Sequence, residues 1–244
     1  MLGLPDKITA CLFDMDGVIT QTAKVHDAAW KEMFDEFLRG WSAEHNQKFV
    51  PFDPVRDYDE YVDGKPRTEG TAAFLESRGI KLPMGKESDK PGTATVYGLG
   101  NKKNELVLQV IERDGVQAYD GSVLYVNAVR AAGLRTAIVS SSANTEAVLK
   151  AAGVDGLFEV RIDHQAAEEH QLRGKPAPDT FLEAARQLGA PAAGAVVFED
   201  ALAGVGAGRA GHFGYVVGVD RVGQADQLRA HGADVVVKDL AELL

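Results

Sequence analysis

A chain of 244 residues, 45% hydrophobic and 25% charged, is large enough to bury a core as one domain or as two unequal ones. Its formal charge of −10 tells against a nucleic-acid partner, which needs a basic face. A small anion at a locally built site stays open, because distant charge is screened beyond about 8 Å at physiological salt. Cys11 is the single cysteine, so no intrachain disulfide is expected, and neither a signal peptide nor a run of about 18 apolar residues is read. The expectation is a cytoplasmic protein, monomeric or weakly oligomeric, with no membrane partner.

In chain order, residues 8–14 (ITACLFD) make the first strand-like run, which ends in Asp14 with Asp16 and Gly17 close behind. Two carboxylates so near repel each other and are costly to desolvate, and a metal ion, a shared proton or both would compensate them. A turn or a helix cap is the other reading of a D-G pair. The chain then changes character. AKVHDAAWKEMFDEFLR, PVRDYDEYV, RTEGTAAFLESRG and NKKNELVLQVIERDG are helical in pattern, and IKLPMGKESDKPGTATVYGLG reads as a Gly/Pro/Lys-rich connection between the last two.

Further along, Ala-rich helical segments at 122–132, 144–152, 178–188, 201–210 and 224–231 alternate with strand-like runs at 136–142, 194–200, 214–220 and 234–240. Such alternation implies an α/β protein with a parallel sheet, its ligands outside the carboxyl ends of the strands. The organisation expected is an α/β core of residues 1–22 and 118–244, with a helical domain, 23–117, inserted after the first strand.

The strand ends carry the chemistry. An aspartate at the position of Asp14 can attack phosphorus, and a second carboxyl such as Asp16 can pass protons to and from the oxygen that leaves or attacks. GAVVFEDALAG closes a second run with Glu199 and Asp200; an acidic pair there caps a helix or, beside Asp14 in one sheet, makes an oxygen-rich pocket suited to Mg²⁺. IVSSSAN offers hydroxyls and backbone N–H groups where a strand meets a helix, and RGKPAPD holds Lys175 in a rigid turn. Each is weak alone, and the order Asp-x-Asp, Ser, Lys, Glu-Asp is what is specific.

In that order the sequence resembles the haloacid dehalogenase superfamily over nearly its whole length. The motifs are Asp14-Met-Asp16-Gly-Val, Ser140, Lys175-Pro and Glu199-Asp200. The resemblance implies a Rossmann-like core with an inserted α-helical cap, Asp14 as nucleophile and Asp16 as general acid/base. It implies Mg²⁺ held by Asp14, the backbone carbonyl of Asp16 and Asp200, with Glu199 close by. Ser140 and Lys175 would grip the transferring phosphoryl group.

Within the superfamily the chain is most similar to the β-phosphoglucomutase-like branch, through Thr22, His26 and Trp30, through GKPRTE with Arg67, and through SSSAN (Ser140, Ser141, Ser142, Asn144). That branch implies a sugar-phosphate substrate whose distal phosphate meets Arg67, Ser142 and Asn144. For Arg67 an ion pair with Glu69 or Glu76 is the alternative, and His26 reads as a core or hinge histidine rather than a base.

The activity expected is isomerisation of glucose 1-phosphate to glucose 6-phosphate through an aspartyl-phosphate, with a sugar-phosphate phosphatase as the alternative. GAGRAG (206–211) fits a dinucleotide-binding fingerprint in letters only, because its glycines fall inside a segment already begun after Asp200 and Asp220 follows too soon. Tight helix–sheet packing explains them better.

Overall fold

The computed structural model describes residues 2–244. The chain divides into two compact units, Met1–Thr22 with Val116–Leu244, and Ala23–Gly115.

The first unit is built on β1 (Ala10–Phe13). The second follows with α1 (Ala23–Glu44), α2 (Arg67–Ser77) and α3 (Val96–Asp114). The chain then returns to the first unit through α4 (Asp120–Ala131), β2 (Arg135–Val139), α5 (Thr145–Ala151), β3 (Val160–Ile162), α6 (His164–Glu169), α7 (Asp179–Gln187), β4 (Ala195–Glu199), α8 (Leu202–Ala210), β5 (Tyr215–Val219), α9 (Ala225–His231) and β6 (Val235–Val237).

The six strands form one parallel sheet in the order β3-β2-β1-β4-β5-β6. This is the doubly wound α/β architecture, whose crevice opens where the strand order reverses, next to β1. Every residue of β1 and β4 is buried, as central strands covered on both faces must be, which is why they read as unbroken apolar runs. Leu12, Val139, Ile162, Phe181, Val197 and Phe213 belong to one core cluster. The register sets Phe13 beside both Ile138 and Phe198, so Asp14 leaves the sheet level with the end of β4.

The glycines of GAGRAG lie within α8 or cap it. A Cβ on Gly208 would stand 3.1 Å from Val216 and 3.3 Å from Val197, so the bare backbone seats α8 on β4 and β5.

In the second unit α1 buries Trp30, Met33, Phe34 and Leu38, the i, i+3, i+4, i+8 stripe of an amphipathic helix. These meet Phe52, Phe74 and Leu99 in an aromatic core, with the Phe34 and Phe74 ring centroids 4.1 Å apart.

Four elements depart from the sequence reading. VYGLG is not connection but the first turn of α3, started by Thr95, whose hydroxyl accepts from the Gly98 N–H at 2.9 Å. Its glycines, poor helix formers, masked it, yet a Cβ on Gly98 would meet the Thr93 carbonyl at 2.4 Å. PVRDYDEYV contributes one π-helical turn, Tyr58–Val62. β3 and α6 were not foreseen: β3 has only three residues at the sheet edge, too short for a periodic signal.

Candidate active site

β1 and β4 pair in parallel, and their carboxyl ends bring together residues 185 positions apart. Asp14, Glu199 and Asp200 each offer a carboxylate oxygen within 4.8 Å of the others. Lys175 reaches the same point from the turn before α7. Its Nζ lies 2.5 Å from Asp14 Oδ1 and 2.5 Å from Glu199 Oε1, donates to the Val139 carbonyl at 3.2 Å, and stands 5.0 Å over the Phe181 ring. The approach to Glu199 Oε1 is close but out of line for a hydrogen bond, so that contact is an ion pair. Glu199 Oε2 accepts from the Ala201 N–H at 3.2 Å. Glu199 is thus fully enclosed and spends its carboxylate on Lys175 and its own turn.

Burial alone would lower the Lys175 pKa, but the facing carboxylates of Asp14 and Glu199 more than reverse this and hold it charged. Burial pushes the Asp14 carboxyl well above its ordinary value; Lys175 pulls it down, while Glu199 and Asp16 push it further up. Asp14 and Glu199 therefore share one buried ammonium, with the carboxylates of Asp16 and Asp200 adding negative charge around Asp14.

The donor set fits a hard cation. All donors are oxygens, as Mg²⁺ prefers, and the backbone leaves space for them. Gly17 has φ +80°, and a Cβ there would lie 1.7 Å from Asp200 Oδ2; only glycine lets the Asp200 carboxylate sit against the loop that follows Asp14.

Asp16 accepts a short hydrogen bond from the Thr22 hydroxyl, and Thr22 Oγ1 lies 2.7 Å from Thr20 Oγ1. Thr22 is buried, so its hydroxyl serves Asp16. Motif reading alone did not reveal this pairing.

Ser140 follows β2 and is buried; its hydroxyl oxygen accepts from the Ser142 N–H at 3.1 Å. Ser142 Oγ accepts from the Asn144 N–H at 3.1 Å, and Ser141 lies on the same turn.

His26 and Arg67 belong to the second unit. His26 Nδ1 lies 2.8 Å from Lys103 Nζ, whose charge stands 4.8 Å over the Trp30 ring. Arg67 opens α2 and donates weakly to Asn101 Oδ1 at 3.4 Å. Burial lowers its pKa, and Glu87, not Glu69 or Glu76, is the carboxylate that offsets this. Arg67 also lines a cavity of about 430 Å³ with Glu87, Asn101, Glu105 and Glu112.

A family model for haloacid dehalogenase-like hydrolases matches residues 8–212, and the chain belongs to that family. It is 55% identical to a β-phosphoglucomutase of Mycobacterium bovis over 100% of this chain and 94% of the relative. Among solved structures, a hydrolase from Pseudomonas syringae matches with TM-score 0.77 at 23% identity, covering 96% of this chain and 95% of that one. A β-phosphoglucomutase from Clostridium difficile matches with TM-score 0.74 at 24% identity, covering 97% and 93%. The protein is an enzyme of the phosphotransferase or phosphatase kind. Among the described residues no helix is long and apolar enough to cross a membrane.

Proposed function

We propose that the enzyme isomerises a sugar phosphate, converting glucose 1-phosphate to glucose 6-phosphate through a phosphoryl group carried on Asp14. The observation that carries this is the 55% identity to a β-phosphoglucomutase along the whole chain. The meeting of Asp14, Lys175, Glu199 and Asp200 at one sheet edge supports the chemistry.

In this reading an Asp14 carboxylate oxygen attacks phosphorus, and the bond to the departing sugar oxygen breaks as Asp16 gives that oxygen its proton. Asp16, steadied by Thr22, then takes the proton of the accepting hydroxyl, which attacks phosphorus and frees Asp14. Lys175 and the Ser140 hydroxyl hold the equatorial oxygens of the group in transit. Glu199 acts by keeping Lys175 in place and charged.

Asp14, Asp200 and the carbonyl of Asp16 would hold Mg²⁺, which when bound offsets the charge of the carboxylates and of the phosphoryl oxygens. Ser141, Ser142, Asn144, His26 and Arg67 are assigned to the sugar and its second phosphate.

The test is NMR of both anomers of glucose 1-phosphate with Mg²⁺ and a trace of hexose bisphosphate. Glucose 6-phosphate is the expected product. Free phosphate in its place would make the protein a sugar-phosphate phosphatase. No turnover of any phosphate ester would remove both readings.

A further inference from the structure

We infer that the loop after β5 is a brace that fixes the relative position of the two carboxylate-bearing loops, with Arg221 and Gln224 as positioning residues for metal binding. The inference rests on the reading of Asp14 and Asp200 as metal ligands.

Asp220 closes β5, and its Oδ1 accepts from the N–H groups of Gly223 at 2.6 Å and Gln224 at 2.8 Å, so the loop is a fixed turn. From it Arg221 reaches back across the sheet edge. Its Nε donates to the Gly17 carbonyl at 2.8 Å. Its Nη1 donates to the Lys238 carbonyl at 2.7 Å and to Asp239 Oδ2 at 3.2 Å, and the guanidinium lies 3.6 Å over the Tyr119 ring. Gln224 Nε2 donates to the Asp200 carbonyl at 3.0 Å. One five-residue turn therefore grips the loop after β1 through Arg221 and the loop after β4 through Gln224.

The two grips meet at one contact. Gly17, whose carbonyl Arg221 holds, is the residue whose bare Cα faces the Asp200 carboxylate. Any drift of Gly17 toward β4 closes that space, and drift away removes the wall on which the carboxylate rests. A planar guanidinium anchored on Tyr119, Lys238 and Asp239 is stiff enough to hold such a carbonyl, where a lysine offers one mobile charge.

Arg221 Nη2 and Gln224 Oε1 are buried and have no hydrogen-bond partner among the described residues.

The experiment compares Arg221→Gln, Arg221→Lys and Gln224→Met with the parent and with Asp200→Asn. Each is titrated with Mg²⁺ by calorimetry, by the rise in melting temperature that Mg²⁺ produces, and by activity on a phosphate ester. Outer partners of a metal site change affinity by about 10–100-fold. The expected result is a roughly tenfold weaker Mg²⁺ affinity for Arg221→Gln and Gln224→Met, partial recovery in Arg221→Lys, and a larger shift in half-saturating Mg²⁺ than in the KM for the ester.

If Asp200→Asn loses Mg²⁺ binding while the loop variants titrate like the parent, the brace is overturned and the metal reading stands. A lower melting temperature with an unchanged Mg²⁺ titration overturns it equally. If Asp200→Asn also titrates like the parent, the metal reading itself is wrong and the brace falls with it. Gln224→Met, which removes the hydrogen bond to the Asp200 carbonyl and leaves the Arg221 contacts in place, decides the matter should Arg221→Gln not fold.

Discussion

Lys175, 1% exposed, is held between the carboxylates of Asp14 and Glu199. A buried ion pair is weak evidence of stability, but removing one partner strands the other. Lys175→Met is therefore expected to cost about 3–5 kcal/mol, read by denaturant unfolding under circular dichroism. Adding Glu199→Gln should restore much of that loss, since the stranded charge leaves too, while activity stays lost because the phosphoryl group lacks the Lys175 ammonium beside Asp14. A double variant no more stable than the single would mean that Glu199 is not the main partner. Asp14→Asn keeps shape and removes the nucleophile; turnover should fall about 10³-fold or more with the fold intact. Residual activity within about tenfold of the parent would assign the attack to another group.

Arg78 at the end of α2 shows how single contacts tie elements together in the helical unit. It donates to the Val50 and Pro51 carbonyls and to Asp57 at 2.5 Å, just before the π turn, and lies 5.0 Å over Phe74. Burial would raise the Asp57 carboxyl, but the Asp53 N–H, Arg78 and Arg56 outweigh it and hold the pKa below the usual carboxylate range. A depressed folded pKa contributes stability that is complete above the unfolded value of about 4 and is lost as pH falls through the folded one. Arg78→Ala should cost about 3 kcal/mol at pH 7, the low end for a buried pair because Arg78 keeps some solvent contact. The gap between the parent and Asp57→Asn should shrink once pH drops below about 4. Both tryptophans, Trp30 and Trp41, lie in this unit, so tryptophan fluorescence reads its unfolding alone. A gap that is constant down to pH 2 would show that Asp57 does not titrate in linkage with folding.

For the molecule as a whole, mutase and phosphatase differ in whether a sugar hydroxyl or water attacks the carried phosphoryl group, and exclusion of water decides it. We propose that the helical unit acts as a cap that supplies Arg67 to the distal phosphate of a sugar bisphosphate, for which a planar guanidinium is suited. Arg67→Ala should then cut isomerisation about ten- to a hundredfold, the loss of one charge-assisted contact. Hydrolysis of acetyl phosphate, which has no distal end, should change far less. Equal losses on the two substrates would assign Arg67 to the fold of its own unit, where Asn101 already holds it, and would favour the phosphatase.

What the sequence alone determined follows from local physics. Strands buried on both faces must be apolar throughout, so β1, β2, β4 and β5 were legible as runs, the edge strand β6 showed through its three valines, and Asp and Ser at strand ends with Lys175 in a Pro-flanked turn marked the candidate site. The signal fades elsewhere: the arginine at the centre of three-residue β3 hid it, and the glycines of α3 disguised the first turn of a helix that Thr95 begins. Only the tertiary structure decided how the charges are shared. Lys175 meets Asp14 across 161 positions and Arg221 meets Gly17 across 204, separations set by the strand order β1-β4-β5 and by no local preference. Glu199 is the clearest case. In sequence it stands beside Asp200 as half of one acidic pair, yet the alternation of side chains at the strand end turns it inward to Lys175 while Asp200 faces Gly17.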